Sequence, residues 1–442
     1  MFLTEKGTAL ANPRHFADNP RVTKRRSPDT TTVEHQPPSI DTARPNPPAL
    51  LVAFPQPVAL AIPRLGESVG RAWLAEKGVV DPEVSGSHIT FVRAGSQIGI
   101  LDDRSRNGTF VDGERLAAGE SVTLVDGAVV RLGRTLMVYR EAPAKLEPAA
   151  SIGRMVGPWG LTSLRRSLGS LHAHGARNVI IEGETGTGKE LVAEAVSVAL
   201  RRRAKLGVVN MAAVASGVFE AQLFGWRKGA YSGSADGGPG ILASHDGGAV
   251  FLDELGELPL DLQPKLLRLL ESREVQSVGA PKPTTVDVAI IAASNRDLDA
   301  MVAAGTFRRD LLARFDRRIK LPALRDRAED VYSIVSALAS LRKAPLDPAK
   351  VEIEAVERLT LHDWPSNVRE LDGFLAALDP PGALPLRAVE LALGRTTQTR
   401  AAPLTKEVVE RALEAANGNQ VAAARKLGIP RGRLLRMLKK LG

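Results

Sequence analysis

The sequence predicts a multidomain protein: an all-β sandwich, then an α/β domain with a parallel sheet and a helical lid, then an all-α tail. Three observations carry that reading. Between 60 and 141, short strand-like runs follow one another with turn residues between them. From 151 to 321, strand-like and helical runs alternate around a glycine-rich loop. From 404 onward the pattern is helical and strongly basic.

The chain of 442 residues exceeds what one hydrophobic core organises. Aromatics make up 4%, so the cores must rest on Leu, Val, Ile and Ala. There is no cysteine, which excludes disulfides, a thiolate nucleophile and a zinc–thiolate site. That fits a reducing cytoplasm, the expected location. No apolar run reaches the length of a membrane span; the nearest, 50–62, is broken by Pro55 and Pro57. No secretion signal is visible at the start. The net charge is +9, and from Asn419 onward there are seven Lys or Arg residues and no acid. Such a block points to a polyanionic partner.

Residues 1–59 are rich in proline and carry neither a helical nor an alternating period, so they are expected to be disordered. In 60–141 the runs HITFV (88–92), IGIL (98–101), GTFV (108–111), SVTLV (121–125), AVVRL (128–132) and LMVYR (136–140) read as strands. Pairs such as Asp112-Gly113 and Asp126-Gly127 punctuate them. Residues 142–150 form a linker. In 151–321, VIIEG (179–183) leads into a helix over 189–203, AVFLDE (249–254) precedes a helix over 262–271, and VAIIAAS (288–294) follows. Residues 322–394 read as the helical lid and 395–403 as a second linker. The tail, 404–442, divides into helical pieces over 406–416, 420–427 and 431–441.

Gly183, Glu184, Thr185, Gly186, Thr187, Gly188, Lys189 and Glu190 stand between a buried strand and a helix start. Glycines there let backbone amides face phosphates, and the helix N-terminus adds a favourable field. Lys189 is placed for the β- and γ-phosphates, so the expected ligand is ATP with magnesium. Glu190 occupies the position where Ser or Thr usually holds the metal, which shifts that duty to Asp253. Asp253 and Glu254 end a strand-like run; Asp253 suits magnesium, directly or through water, and Glu254 suits activation of a water. The alternative is a glycine turn and an unrelated solvated acidic pair.

The ordered segments GETGTGKE, LFGWRKGAYSGS, GGAVFLDE, AASNRDL, FRRDLLAR, LPALRDRAED and WPSNVREL resemble the AAA+ domain of bacterial enhancer-binding proteins, the activators of sigma-54 RNA polymerase. The resemblance covers about 151–380. It implies that Asn210 is a polar switch holding Glu254 and that Asn295 reads the γ-phosphate. It also implies that Arg308 and Arg314 are arginine fingers entering a neighbouring subunit, and that Arg369 is a second sensor on the lid. A guanidinium is permanently charged and bridges two oxygens, which suits a finger worth about 10³–10⁵ in rate. For each arginine, a role in surface solubility is the alternative; for each asparagine, strand-end capping. The same resemblance implies a homo-oligomeric ring, a hexamer.

Within that frame Gly229, Ala230, Tyr231, Ser232, Gly233 and Ser234 form the loop that, by resemblance, contacts sigma-54. The family pattern there is Gly-Ala-Phe-Thr-Gly-Ala, so aromatic area and a hydroxyl are kept while Thr becomes Ser232. Ala243 also replaces a usual Glu, and the stretch from Arg314 to Pro322 is one residue short. A glycine-rich surface loop without that contact is the alternative.

In the tail, Gly428 lies between two helical pieces and Pro430 opens the last, the pattern of a helix-turn-helix. Leu427, Ile429, Leu434, Leu435 and Leu438 are expected to face inward. Arg431, Arg433, Arg436, Lys439 and Lys440 are left for DNA, with Arg431 and Arg433 nearest the bases. The segment resembles the Fis-type domain of the same activators.

The front resembles a forkhead-associated domain through Gly70-Arg71, Ser85-Gly86-Ser87-His88 and Ser105-Arg106-Asn107-Gly108-Thr109. That implies a phosphothreonine site formed by Arg71, Ser85, Arg106 and Asn107, with His88 propping the loop. A doubly charged phosphate suits such donors. Gly86 replaces a common basic residue, and a purely structural sandwich is the alternative. Together these features imply a sigma-54-dependent transcriptional regulator. It would hydrolyse ATP in a ring to remodel RNA polymerase holoenzyme while bound to enhancer DNA, under control of a phosphothreonine-containing protein. The second reading is an ATP-dependent DNA-binding regulator that no longer engages sigma-54; a scaffold with a silent ATPase is the third.

Overall fold

The computed structural model describes residues 46–202, 206–212, 216–230, 236–397 and 406–415, with single positions 423, 427 and 434. The disorder expected for 1–45 lies outside the described residues. So do Tyr231, Ser232, Gly233 and Ser234, and Arg431, Arg433, Arg436, Lys439 and Lys440.

The front contains β1 (Ala49–Phe54), β2 (Ala59–Ala61), β3 (Ser68–Val69) and a short α1 (Arg71–Glu76). Next come β4 (Ile89–Ala94), β5 (Gln97–Asp102), β6 (Thr109–Val111) and β7 (Glu114–Arg115). Strands β8 (Ser121–Thr123), β9 (Val129–Leu132) and β10 (Thr135–Arg140) complete it. They form a six-stranded sheet, β2-β1-β10-β9-β6-β7, and a four-stranded sheet, β3-β4-β5-β8. Leu50, Val52, Val130 and Met137 of the first meet Ile89, Phe91 and Ile100 of the second. Apolar side chains from both sheets point inward, and their removal from water holds the sandwich.

One expectation is corrected here. The segment 1–59 was expected to be disordered, yet β1 is buried along its whole length and pairs with β10 on one side and β2 on the other. The prolines bracket ALLVAF at 45–48 and 55–57 without entering it. Proline removes a ladder donor only where it stands, so the run between remains a strand.

The α/β domain opens with α2 (Thr162–Leu171), β11 (Asn178–Glu182), α3 (Lys189–Ala199) and β12 (Gly207–Asn210). There follow α4 (Ser216–Phe224), β13 (Gly225–Trp226), β14 (Gly238–Pro239), α5 (Ile241–Ser244) and β15 (Ala249–Asp253). Next are α6 (Gln263–Ser272), β16 (Glu274–Val275), β17 (Thr284–Thr285) and β18 (Ala289–Ser294). The domain closes with α7 (Leu298–Ala303), α8 (Arg309–Leu312) and β19 (Arg317–Lys320). The main sheet runs β12-β15-β18-β11-β19, parallel throughout. Helices cover both faces, which is why β18 is buried along its whole length. The glycine loop follows β11, and Asp253 ends the second strand away. Both lie at the carboxyl edge of the sheet, where ligands bind in such folds.

The lid begins with a 3₁₀ segment, Leu324–Asp330, and continues as α9 (Val331–Leu341), α10 (Ile353–Thr360), α11 (Asn367–Ala376) and α12 (Leu386–Thr397). Trp364 is fully buried and packs edge-on to Phe374, 5.8 Å between ring centroids. In the tail, α13 covers Lys406–Glu414, and Val409, Ala423 and Leu434 are buried while Leu427 is partly so. Among the described residues no helix is long and apolar enough to cross a membrane.

Candidate nucleotide and phosphopeptide sites

Gly186 adopts φ +78 and Gly188 φ +97 in the loop before α3. Only glycine holds such angles without strain. At Gly186 the requirement is also steric: a side-chain carbon would lie 2.1 Å from the Ser366 carbonyl oxygen of the lid. The loop is therefore closed against the lid by backbone contact. Val368 N donates to Gly186 O at 3.0 Å, and Asn367 Nδ2 donates to Thr185 O at 3.0 Å.

Lys189 folds back, its Nζ donating to Gly183 O at 2.9 Å and Glu184 O at 3.1 Å. Burial pulls its ammonium below the usual value, against the opposing charge of Asp253, while the Arg369 charge adds to the depression. Lys189, Asp253, Glu254 and Arg369 thus share one electrostatic environment. Thr187 is buried, and its hydroxyl donates to Glu184 O at 2.8 Å. Asn295 Nδ2 reaches Thr185 Oγ1 at 3.4 Å. Asp253 Oδ1 accepts from Glu254 N at 2.9 Å, and Glu254 sits at φ +57, which turns the chain sharply off β15. Asn210 is level with Asp253 in the parallel register, but its Oδ1 accepts from Ala212 N at 2.8 Å.

Arg308 and Arg314 stand on exposed surface. Arg308 forms a fork with Asp310, at 2.7 and 3.0 Å, and Arg314 pairs with Glu271 at 2.6 Å. The backbone beneath Arg308 is fixed, since its N–H donates to the buried Gln263 Oε1 at 2.8 Å. Such a guanidinium can exchange an exposed carboxylate for another anion at small cost. Gly229 and Ala230 begin the glycine-framed loop in a turn, Ala230 N donating to Arg227 O at 3.1 Å. The loop's base is a two-strand pairing of β13 with β14, and Trp226 Nε1 donates to Asp236 O at 2.9 Å.

Two residues of this site were not singled out by sequence. Arg325 forks onto the Glu184 carboxylate, and Asn367 Nδ2 also reaches it at 3.2 Å. The hydrogen bonds from Arg325 hold that carboxyl below its ordinary range, with Asn367 adding, against partial burial. Both stand inside segments quoted for the resemblance, LPALRDRAED and WPSNVREL; the signal was present, but not its target.

In the front domain, Gly70 and Arg71 cross close beneath the Ser85–Gly86 backbone, and Arg71 N donates to Ser85 O at 2.9 Å. Arg106 N donates to Ser85 Oγ at 3.1 Å, and Asn107 Nδ2 to Glu83 O at 2.7 Å. Buried His88 joins the loops: Nδ1 accepts from Ser85 N at 3.0 Å, and Nε2 faces Gly108 O at 3.3 Å. Burial lowers its pKa, and with Nδ1 accepting a hydrogen bond the ring acts as a strut between the loops. Arg71, Ser85, Arg106 and Asn107 are thereby gathered at one end of the sandwich.

The family model described as the sigma-54 interaction domain matches residues 161–320. The FHA domain model matches 68–133, and the model for bacterial regulatory proteins of the Fis family matches 402–441. A DNA-binding transcriptional regulator NtrC of Rhizobium meliloti (strain 1021) is 33% identical over 361 residues, spanning 70% of this chain and 74% of that protein. The transcriptional regulatory protein ZraR of Escherichia coli (strain K12) is 36% identical over 326 residues, 70% of this chain and 73% of ZraR. The NtrC of Bradyrhizobium sp. (strain RP501 Parasponia) is 41% identical over 218 residues, and the chain spans 45% of its length. Among solved structures, NtrX from Brucella abortus in complex with ADP aligns with TM-score 0.50 and 28% identity, covering 65% of this chain and 70% of NtrX. An FHA sandwich, an AAA+ domain and a Fis-type helix-turn-helix on one chain, with relatives of this length and identity, place the protein in the family of sigma-54-dependent transcriptional regulators.

Proposed function

We propose that the chain hydrolyses ATP in an oligomeric ring and uses the energy to remodel sigma-54 RNA polymerase holoenzyme at promoters. Meanwhile its tail holds enhancer DNA, through Arg431, Arg433, Arg436, Lys439 and Lys440. What supports this reading is the glycine loop itself: Lys189 Nζ donates to Gly183 O and Glu184 O, Arg369 abuts Gly186, and Asp253 ends β15 at the same carboxyl edge of the sheet. That arrangement suits a triphosphate, with amides and Lys189 on the phosphates and Glu254 orienting a water. Magnesium, when bound, would neutralise charge between the β- and γ-phosphates, and Asp253 would hold it, directly or through water. Among the described residues no three acidic or imidazole groups are placed to hold a metal ion by themselves, and a magnesium ion held by phosphates and one carboxylate needs no such cluster. Asn295 would sense the γ-phosphate through the loop it touches, and Asn210 would leave Ala212 to restrain Glu254.

Arg308 and Arg314 would complete a neighbour's site, so turnover per subunit rises with protein concentration until the ring, a hexamer by family pattern, is assembled. Gly229 to Ser234 would meet sigma-54. The front site, Arg71 with Ser85, Arg106 and Asn107, would recognise a phosphothreonine-containing protein in the cytoplasm. Transcription in vitro with sigma-54 holoenzyme tests the reading: Ser232→Ala should keep ATP turnover and lose open-complex formation. If that variant activates as well as wild type, the loop is not the effector and the chain is an ATP-dependent regulator of another kind.

A further inference from the structure

The central strands of the six-stranded sheet, β1, β9 and β10, are buried on both faces. Leu50, Val52, Val130, Met137 and Tyr139 fill the sandwich core. On the outer face the alternate residues Val129, Leu136 and Val138, with Phe54 past the irregularity after Val52, share one apolar cluster with Leu324, Val331, Val335, Val356 and Trp364 of the lid. Phe54 and Tyr332 meet edge to face at 4.8 Å.

Charged groups lock the same seam. Arg131 stacks on Phe110, 3.6 Å from the ring centroid, and reaches Glu357 at 3.0 Å and Glu354 at 3.2 Å. Arg140 grips Glu329 at 2.6 and 3.0 Å and donates to the Asp326 carbonyl at 2.8 Å. The side chains of Arg140 and Glu329 are 15% and 5% exposed, so the pair is shielded from water and salt. The 3₁₀ segment Leu324–Asp330 that receives Arg140 also carries Arg325, whose guanidinium holds Glu184 of the glycine loop. Four positions along the chain separate the front domain's anchor from the nucleotide loop's anchor.

We propose that the front sandwich is a fixed extension of the lid, and that Arg140 is a positioning residue for the nucleotide site, acting through Glu329 and Arg325. The front domain then sets how long nucleotide is held. The inference takes the nucleotide site proposed above as its starting point.

The test uses the full chain, a fluorescent ADP analogue released in stopped flow, and hydrogen exchange over β10 and α9. Arg140→Met should raise the release rate about fivefold, within the range by which intermediate residues modulate coupling, and lower protection in α9. Arg140→Lys should fall between it and wild type. Arg131→Met, on the other side of the seam, should act in the same direction and supplies the measurement should Arg140→Met not fold. Unchanged release in both methionine variants, with protection lost in β10, would reduce the seam to passive packing and overturn the proposal. If wild type fails to bind the analogue, the nucleotide reading fails instead. Exchange in α9 then decides the seam alone: reduced protection in Arg140→Met upholds it, and unchanged protection overturns it.

Discussion

Two loops in this protein carry the proposed phosphate sites, and they differ in how their cations are kept. Both rely on a glycine pressed against another backbone: Gly186 under Ser366, and Gly70 under Gly86, where an added carbon would lie 2.1 and 2.2 Å from a carbonyl oxygen. In the nucleotide loop, Lys189 is tied to loop carbonyls and partly desolvated, and the lid closes over it. In the front loop, Arg71 stands exposed while only its backbone is fixed. A cation already withdrawn from water is reorganised little when phosphate arrives, which favours chemistry. A solvated one gives recognition that is more easily screened.

The largest effect that would sharpen this contrast is on turnover. Lys189→Ala should lower ATP hydrolysis by about 100-fold or more, measured by phosphate release at saturating protein concentration, as loss of a preorganised donor does. Next, Arg71→Ala should weaken binding of a phosphothreonine peptide by about 10- to 100-fold in calorimetry, the range for a hydrogen bond to a charged group, without touching ATP turnover. Equal loss of both activities in either variant would break the comparison. Raising salt from low to physiological should weaken phosphopeptide binding more than nucleotide binding; a reversed order would say that the front cation is the better shielded.

The smallest effect concerns pH. Asp330 is fully buried, and burial raises its carboxyl to about 6, despite hydrogen bonds from Trp159 N and Gly160 N. The folded state then binds its proton more tightly than the unfolded chain. Its contribution to stability is present below about 4 and is lost as pH rises through about 6. Glu184, held low by Arg325, acts in the opposite sense and loses its contribution as pH falls below the carboxylate range. Urea unfolding between pH 4.5 and 7 should show a flatter slope in Asp330→Asn than in wild type, by about 1–2 kcal/mol across the window. A slope unchanged by the substitution would show that the two amide donors outweigh burial.

Much of the nucleotide site was legible because its parts are contiguous. GETGTGKE carries its own strand and helix, and AVFLDE carries its own strand end, so local periodicity sufficed. The clasp around it was not legible. Arg325 and Asn367 come from the lid and converge on Glu184 from positions far along the chain. Asn210 illustrates the limit at closer range: its strand and register are readable, but its bond to Ala212 N belongs to the local turn. At the front, counting prolines concealed β1, because density of proline was read where its positions mattered.

The sequence by itself determined the strand–loop–helix around Lys189, the alternation that makes a parallel sheet, and the turns that divide the sandwich. These follow from short-range rules of backbone geometry and periodic burial. Only the tertiary structure decided that β9 and β10 are covered on their outer face, and that the lid covers them. A pattern such as VVRL or LMVYR tells that water is excluded from both sides of a strand. It carries no record of which surface excludes it, because apolar burial is non-directional and any complementary face serves.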